Sequence, residues 1–247
     1  MYLKIKGLVL RVVVYNDTDA LLTLLTHDRG KLTVKARGLR RKNSPLTPVC
    51  QLLAYGEYTL FEYRGMCTIN EATALELFLP LRKDLQKLSL GTYFAQATEI
   101  ISQEDLPNPE LLSLTLNSLF ALSKLDVDER LVKGAFELRL ASLAGYTPDL
   151  YSCACGNVTP NYFDLSEGRL VCDKCLETAT GIRMPISQGT LDCMRYICAC
   201  ESKRLFGFQA GADTLQQLSE IAESYLSTQL ERGFSALDFY KSLLYEP

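Results

Sequence analysis

The chain has 247 residues, of which 47% are hydrophobic and 22% are charged, an ordinary balance for a soluble globular protein of one large or two to three small domains. No apolar run approaches the roughly 18 residues that a membrane-spanning helix needs. The apolar start of the chain lacks the small-residue cleavage site of a signal peptide. We therefore expect a cytoplasmic protein with no membrane partner.

The net charge of −3 conceals an uneven distribution along the chain. Residues 1–83 carry 13 Lys and Arg against 7 Asp and Glu, a net charge of +6. Residues 84–247 carry 13 Lys and Arg against 22 Asp and Glu, a net charge of −9. A polyanionic partner would therefore bind the N-terminal third of the chain.

The first 80 residues have the alternating, β-rich pattern of strands. Five strands are predicted, over residues 3–15, 20–26, 31–37, 53–63 and 66–77. In the first strand the alternation changes phase at Gly7, which predicts a β-bulge at that residue. Five strands, the first long and bulged, indicate a small closed barrel of the OB type over residues 1–80.

From Leu81 onward the apolar residues recur with a helical period. Helices are predicted over residues 81–102, 111–125, 128–144, 187–200, 214–232 and 236–244. A cysteine-rich stretch interrupts them. The predicted fold class is therefore α+β, with the five-stranded OB-fold barrel followed by an all-helical domain (residues 81–150 and 181–247) that contains an inserted zinc-ribbon-like module (residues 151–180).

Seven Lys and Arg lie between Arg29 and Lys42, and Asp28 is the only acid near them in the sequence. Strand alternation places Lys31, Lys35 and Arg37 on one face of the third strand. The basic loop that follows carries three more cations: Arg40, Arg41 and Lys42. Such a row can follow a phosphate backbone and release counterions as it binds.

The other interpretation of this basic row is a solvated outer face of the barrel. The candidates for base stacking are Tyr15, Tyr55 and Tyr58, and positions in the core or at the rim suit these residues equally well. Contact with nucleic acid would therefore be mostly electrostatic and hardly specific for sequence.

Four of the nine cysteines fall in the stretch SCACGNVTPNYFDLSEGRLVCDKC, in two pairs: Cys153 with Cys155, and Cys172 with Cys175. The single histidine, His27, is far away in the sequence, so a local metal site would use thiolates only. Two thiolate pairs joined by a segment with a turn at residues 166–168 are typical of a structural zinc site. The first pair can bind one ion only if the backbone bends between its two members.

Two alternatives to this ligand set remain open. A later cysteine can replace one member of the first pair, with the candidates Cys193, Cys198 and Cys200. Alternatively, no metal is bound and the thiols are simply buried. Catalysis is disfavoured, because the chain has a single His, no evident carboxylate pair and no phosphate-binding loop of the GxxxxGK[ST] type. We expect a protein that is not an enzyme.

Several segments, taken in order, resemble the bacterial RecO family of recombination mediators. KIKGLVLRVVVYNDTDALLTLLTHDRGKLTVKARGLRRKNSPL resembles the N-terminal barrel of that family, and LFEYRGMCTINEATALELFLPLRKDL resembles its last barrel strands and the entry to its helical domain. FELRLASLAGYTPDL, followed by CACG and CDKC, is similar to its helix-to-zinc junction, and LERGFSALDFYKSLL to its C-terminal helix. The resemblance covers nearly the whole chain.

The resemblance implies a non-enzymatic role in DNA repair and recombination, at the nucleoid. Family members bind single- and double-stranded DNA, anneal complementary strands, and act with RecR to help load RecA onto DNA coated by single-strand-binding protein, whose C-terminal tail they contact. The DNA-binding residues implied for this chain are Arg11, Lys31, Lys35, Arg37, Arg40, Arg41 and Lys42. The implied cofactor is one structural Zn²⁺ on Cys153, Cys155, Cys172 and Cys175, although relatives usually have Cys-x-x-Cys where this chain has Cys-Ala-Cys.

A protein-interaction scaffold is the alternative function. In that case the helical domain binds the tails of partner proteins and the chain makes little DNA contact of its own. The acidic balance of residues 84–247 suits an adaptor. An acidic partner tail would require a local basic pocket, for which Arg130, Lys133 and Arg139 are the candidates.

Overall fold

The computed structural model describes residues 1–177 and 181–244. Its N-terminal part is a closed barrel of five strands in the order β1-β2-β3-β5-β4. The strands are β1 (Tyr2–Val14), β2 (Ala20–Thr26), β3 (Lys31–Ala36), β4 (Tyr55–Tyr63) and β5 (Met66–Glu76). All pairings are antiparallel except β3 with β5, which is parallel and closes the barrel. The predicted OB-type barrel is confirmed.

The barrel interior is apolar, and the segment between β3 and β4 contributes to it. Val9, Leu22, Val34 and Leu60 are among the buried residues that meet at its centre. The connecting segment adds Leu46, Val49, Cys50 and Ala54 to the same core. The segment between β3 and β4 therefore begins with the basic loop and then contributes apolar side chains to the barrel core.

The bulge predicted at Gly7 is wrong. Gly7 pairs regularly with both Thr26 and Gly56, and the shift in register between β1 and β2 lies between Val9 and Arg11. The alternation changes phase in the sequence because both faces of β1 are covered there: Val9 faces the barrel core, while Leu8 and Leu10 on its other face are also buried. When both faces of a strand are buried, no polar residues mark the solvent face, and the sequence no longer shows which residues share a face.

The rest of the chain is mainly helical, as predicted. The helices are α1 (Leu85–Ile101), α2 (Pro109–Lys124), α3 (Glu129–Leu143), α4 (Asp173–Leu176), α5 (Gln188–Ala199), α6 (Ala212–Gln229) and α7 (Ser235–Leu244). The predicted helix at 81–102 is divided: a 3-10 turn spans Leu79–Lys83, and Asp84 then caps α1 by accepting a hydrogen bond from the Lys87 N–H. A second 3-10 turn spans Ser202–Arg204.

The cysteine-rich stretch contains a small sheet that the sequence did not predict beyond its turn. Its strands are β6 (Asp149–Cys153), β7 (Tyr162–Asp164), β8 (Arg169–Val171) and β9 (Arg183–Pro185), in the order β6-β8-β7-β9. The predicted turn at 166–168 joins β7 to β8, and the Asp164 carboxylate accepts hydrogen bonds from the Ser166 and Glu167 N–H groups. Strands of three residues are too short to show a period of two.

The structure divides into two units by contact. Met1–Leu125 and the segment from Phe234 form the first, in which α1, α2 and α7 accompany the barrel, and Asp126–Gly233 forms the second. The division predicted at residues 80, 150 and 180 stays a prediction, and residues 178–180 at its last boundary lie outside the described part of the chain. No helix in the described ranges has the length and apolar character that crossing a bilayer requires.

Candidate nucleic-acid interface and metal centre

The basic strand β3 has the two faces that its alternation predicts. Val34 and Ala36 are buried in the barrel core, whereas Lys35 and Arg37 lie on the outer face. The loop after β3 is fixed to the turn between β1 and β2: the Gly38 N–H donates to the Asp19 carboxylate at 2.9 Å, and the Arg40 N–H donates to the Thr18 carbonyl at 3.0 Å. The first half of the basic loop is therefore held by hydrogen bonds to its neighbour.

Four of the seven predicted DNA-binding cations have partners within the first unit. Lys35 forms a 3.0 Å ion pair with Asp19 and lies 4.6 Å from the centroid of the Tyr15 ring. Arg11 forms a 2.9 Å ion pair with Glu99. The remaining two donate to backbone carbonyls, Lys31 to that of Glu99 at 3.1 Å and Arg40 to that of Asn16 at 2.9 Å.

Asp19 and Glu99 are acids that the sequence reasoning missed. Linear distance suggested that Asp28 was the only acid near the basic row, but the fold brings Asp19 beside Lys35 and Glu99 beside Arg11. The hydrogen bond from the Gly38 N–H, followed by that from the Lys35 ammonium, holds the pKa of Asp19 well below its usual range. Part of the predicted positive charge is therefore neutralised inside the protein.

The other three cations, Arg37, Arg41 and Lys42, are exposed. Within residues 1–177 and 181–244, none of their side chains forms a hydrogen bond or an ion pair. Arg37 directly follows β3, and Arg41 and Lys42 lie in the loop whose start is hydrogen-bonded to Asp19. These three residues are named the basic rim, and they have the charge still available for a polyanion.

The three tyrosines proposed for stacking have different positions. Tyr58 is fully buried in the barrel, where its hydroxyl donates to the Val49 carbonyl at 2.9 Å, so this candidate is wrong. Tyr55 is half-buried. Tyr15 is exposed beside Lys35. Of the three, only Tyr15 therefore combines an exposed ring with a neighbouring cation.

The structure brings the four cysteines of the second unit together. The Sγ atoms of Cys153, Cys155, Cys172 and Cys175 all lie within 4.8 Å of one another, and those of Cys155 and Cys172 are 3.5 Å apart. A tetrahedral zinc–thiolate centre with bonds of ~2.3 Å has its sulfur atoms ~3.8 Å apart. The cluster therefore has the ligand type, number and spacing that can hold a metal ion.

A tight turn explains how Cys153 reaches the cluster across a single alanine. The Gly156 N–H donates to the Cys153 carbonyl at 2.8 Å, and Gly156 has φ of +83°, a conformation that favours glycine. The chain thus reverses between the two cysteines, which is the bend that the short spacing requires. The second pair uses a similar device, in which the Cys175 N–H donates to the Cys172 carbonyl at 3.0 Å.

The thiols of the cluster influence one another's protonation. A hydrogen bond from the Cys175 backbone lowers the pKa of Cys172 to about 6. Hydrogen bonds shared with Cys155, Cys153 and Cys172 raise the pKa of Cys175 to about 12. Four adjacent thiols cannot all ionise without a compensating cation, and a bound metal ion supplies that positive charge.

The later cysteines do not join this cluster in the part of the chain that the structure describes. Cys193 is buried in α5. Burial raises the pKa of Cys193 and also that of Cys198. Cys200 lies at the end of α5, with its Sγ 3.7 Å from the Arg139 guanidinium. The alternative ligand set therefore has no geometric support.

Two family models together match most of the chain. The family model "Recombination protein O N terminal" matches residues 1–78, and "Recombination protein O C terminal" matches residues 82–238. The chain belongs to the RecO family. A relative named DNA repair protein RecO, from Acetivibrio thermocellus, is 34% identical over 98% of this chain and 97% of its own length. Relatives of the same name are 29% identical in Alkaliphilus metalliredigens, over 98% of this chain and all of the relative, and 27% identical in Bacillus pumilus, over 91% and 88%.

The boundary between the two family models lies just after the last strand of the barrel. The first ends at residue 78, directly before the 3-10 turn Leu79–Lys83 that follows the last barrel strand, and the second begins at residue 82 within that turn. The RecO N-terminal model therefore corresponds to the closed barrel. The C-terminal model spans α1 to α6 and includes the cysteine cluster.

The basic pocket suggested for an acidic partner tail does not form from Arg130, Lys133 and Arg139 in this RecO-family chain. Arg130 is paired with Asp128 at 2.7 Å. Lys133 is buried and forms ion pairs with Glu137 at 3.0 Å and Glu223 at 2.8 Å. Arg139, the third candidate, donates to the Cys200 carbonyl. These three cations serve contacts inside the second unit.

Proposed function

We propose that this RecO-family protein binds DNA through its barrel, with the basic rim as the principal phosphate contact. The observation that carries the proposal is that Arg37, Arg41 and Lys42 remain exposed and without a described partner, whereas Arg11 and Lys35 are ion-paired and Lys31 and Arg40 donate to backbone carbonyls. Each phosphate neutralised by an Arg or Lys releases a condensed counterion, which favours binding without regard to sequence.

The four cations that have partners within the protein have a supporting part in this proposal. Lys35 and Arg40 hold the β1–β2 turn against the start of the basic loop. Arg11 and Lys31 are tied to the end of α1 through Glu99. These residues contact DNA only where a phosphate replaces their present partner, so we expect each to contribute less to affinity than a residue of the basic rim.

Contacts that read only the phosphate backbone suit a protein that handles DNA of any sequence. We propose that the barrel binds single and double strands, brings complementary strands together, and leaves sequence recognition to base pairing. We further propose that the chain acts with RecR to load RecA onto DNA coated by single-strand-binding protein, and that it contacts the tail of that protein. This role at the nucleoid involves no covalent reaction.

We propose that the four-cysteine cluster binds one Zn²⁺ in a structural role. Zinc favours four thiolates in a closed tetrahedral site, whereas catalytic zinc keeps one coordination position open for water or substrate. The spacing of the Sγ atoms supports this assignment. Bound zinc would connect β6 and its turn to the segment that follows β8.

The test of the DNA proposal reverses charge at the basic rim. The full-length variant Arg37→Glu/Arg41→Glu/Lys42→Glu is titrated with a labelled single strand at several salt concentrations. We expect weaker binding and a smaller slope of log K against log salt, by ~0.7 for each phosphate of a single strand that the variant no longer neutralises.

The matched control is Lys203→Glu, which reverses one exposed charge in the second unit. We expect it to bind DNA like the wild type with an unchanged salt slope. A triple variant with wild-type affinity and slope would disprove the role of the basic rim. The alternative scaffold function would then be favoured.

A further inference from the structure

One outer face of the barrel carries exposed aromatic rings that the basic rim does not account for. The register places Tyr2 of β1 directly opposite Phe61 of β4, and Phe61 opposite Thr68 of β5. Thr68 in turn pairs with Lys35 of β3. These four residues therefore form one row across four strands, with aromatic rings at one end and the basic strand at the other.

The rings in this row are open to solvent. Tyr2 is 65% exposed and Phe61 is 41% exposed, with ring centroids 5.3 Å apart. Tyr63, two residues after Phe61 and so on the same face of β4, is 60% exposed. Its ring lies 5.3 Å from the guanidinium of Arg64 at the β4–β5 turn. We name Tyr2, Phe61 and Tyr63 the aromatic platform.

A shallow cavity joins the aromatic platform to the basic rim. It has a volume of about 230 Å³, and its lining includes Tyr2, Phe61, Arg37, Thr68 and Asn70. Pockets for drug-sized ligands have ~300–1,000 Å³, so this cavity suits a single ring system. Its lining offers aromatic faces, a guanidinium and polar side chains within the same small space.

We propose that the aromatic platform binds unpaired nucleobases by stacking, while Arg37 holds the adjacent phosphate. This inference rests on the proposed DNA-binding function and adds a class of ligand, the bases of a single strand. An exposed aromatic ring can stack on any base, because every base has a π-face, and a cation beside it binds the backbone that all nucleotides share. Contiguous apolar and cationic groups on one face match the two parts of a nucleotide.

The platform distinguishes single strands from duplexes. Bases inside a duplex are stacked on their own neighbours and have no free face for Tyr2 or Phe61. Phosphates, in contrast, are available to Arg37 in both forms. The affinity of the platform for a strand would therefore fall once that strand has paired, which favours release of the annealed product.

The other interpretation of Tyr2 and Phe61 is a cross-strand aromatic pair that stabilises the sheet. A third is an apolar docking face for a protein. Both predict effects that differ from those of stacking, because neither depends on the presence of bases in the nucleic acid. The experiment therefore compares an oligothymidylate with an abasic strand of the same length, which has the same phosphates and no bases.

Binding of the full-length protein to both probes is measured by fluorescence anisotropy. We expect the wild type to bind the oligothymidylate more tightly than the abasic strand. The double variant Tyr2→Ala/Phe61→Ala should lose about tenfold or more in affinity for the oligothymidylate and keep its affinity for the abasic strand. Arg37→Glu should weaken binding to both probes. The exposed ring of Phe239 on α7 provides the control, and Phe239→Ala should bind both probes like the wild type.

A second double variant protects the test against loss of folding. Tyr2→Thr/Phe61→Leu keeps residues that fit a strand and removes the aromatic faces, and we expect it to show the same selective loss. If this double variant keeps wild-type affinity for the oligothymidylate, or loses affinity equally for both probes, the stacking assignment is overturned and a protein-docking or structural role is favoured. A wild type that binds both probes equally would overturn it as well. A wild type that binds neither probe would instead contradict the proposed DNA-binding function.

Discussion

The barrel and the second unit differ in where their charged residues lie. The barrel core is apolar, and its cations lie outside, where Arg37, Arg41 and Lys42 face solvent. The second unit buries charged groups: Lys133 is 4% exposed beside Glu137, which is fully buried. Of the two sets of cations that the sequence suggested for binding, only Arg37, Arg41 and Lys42 are exposed and without a partner among the residues that the structure describes.

The difference follows from the local sequence. Lys133 and Glu137 are four residues apart on α3, so they share one face of a helix and pair with each other. Arg37 to Lys42 follow a strand and contain no acid, so a partner for them must come from elsewhere in the fold. The charged residues Lys133 and Glu137 of the second unit are therefore partnered within their own helix, whereas Arg37, Arg41 and Lys42 on the barrel have no acid close to them in the sequence.

The strongest test of this contrast is the metal centre, since structural zinc contributes roughly 10–16 kcal/mol of binding free energy in small zinc-dependent peptides. We expect one Zn²⁺ per chain in the wild type. Cys153→Ser should lose most of it, because a serine hydroxyl replaces a thiolate ligand. Hydrogen exchange should then accelerate in β6 and β8. Metal analysis by mass spectrometry, with exchange measured on the same samples, checks both expectations.

The control for the metal centre is Cys200→Ser, which changes a cysteine outside the cluster. We expect it to retain full zinc. Zinc retained in Cys153→Ser and lost in Cys200→Ser would contradict the ligand set that the geometry favours.

The course of β3 was predictable from the sequence because this strand has a solvent face. In β3 the polar Lys35 alternates with Val34 and Ala36, and that alternation fixes both the strand and its faces. The position of the bulge was not predictable, since Leu8 and Leu10 are covered on the face that is polar elsewhere in β1. Whether the outer face of β1 is covered depends on the rest of the fold, which the local sequence does not show.

The next largest effect is expected for the buried ion cluster of α3. Lys133→Ala would leave Glu137 buried without its cation, and breaking a buried pair in this way costs about 3–5 kcal/mol. Lys133→Met/Glu137→Leu should recover part of that loss, because an apolar pair replaces the charges. Chemical denaturation, followed by hydrogen exchange in α3, measures the free energy of unfolding.

An exposed lysine gives the reference for this measurement. Lys203→Ala should change the free energy of unfolding by no more than about 0.5 kcal/mol. A loss below about 1 kcal/mol in Lys133→Ala would show that the buried cluster does not stabilise the second unit, and the contrast with the barrel would fail.

The candidate sites show a similar limit of sequence reasoning. All four cysteines of the cluster were identified from their spacing, because the ligands of such a site lie close together in the chain. The partners of the basic residues were not, because Asp19 and Glu99 come from other elements, at 16 and 88 residues from the residues they pair with. Tyr2 and Phe61 are 59 residues apart and become neighbours only through the pairing of β1 with β4.

Asp19 lies on the border between the two kinds of polar residue, because it is a barrel acid that holds the basic loop. Its pKa is lowered in the folded state, so its ionised form stabilises the fold at pH values above ~4, the ordinary pKa of an unfolded Asp. That stabilisation is lost as the pH falls from ~4 toward the folded-state pKa. We therefore expect Asp19→Asn to be less stable than the wild type at neutral pH, with a difference that shrinks below pH ~4.

Thermal unfolding across this pH range measures the effect of Asp19→Asn. Asp17→Asn removes an exposed carboxylate from the same turn and should leave the pH dependence as it is in the wild type. If the difference in stability between Asp19→Asn and the wild type stays constant as the pH falls well below ~4, the ionised carboxylate is not what holds the loop.

The smallest effect on stability is expected where the effect on binding is large. Arg41→Ala/Lys42→Ala removes two exposed cations of the basic rim, and surface substitutions of this kind change the free energy of unfolding by about 0.5 kcal/mol or less. DNA affinity should nevertheless fall, together with the salt slope. Denaturation and DNA titration of the same preparation compare the two quantities. A large loss of stability with unchanged DNA binding would assign Arg41 and Lys42 to the fold, because residues that serve only a ligand can be removed without cost to the free protein.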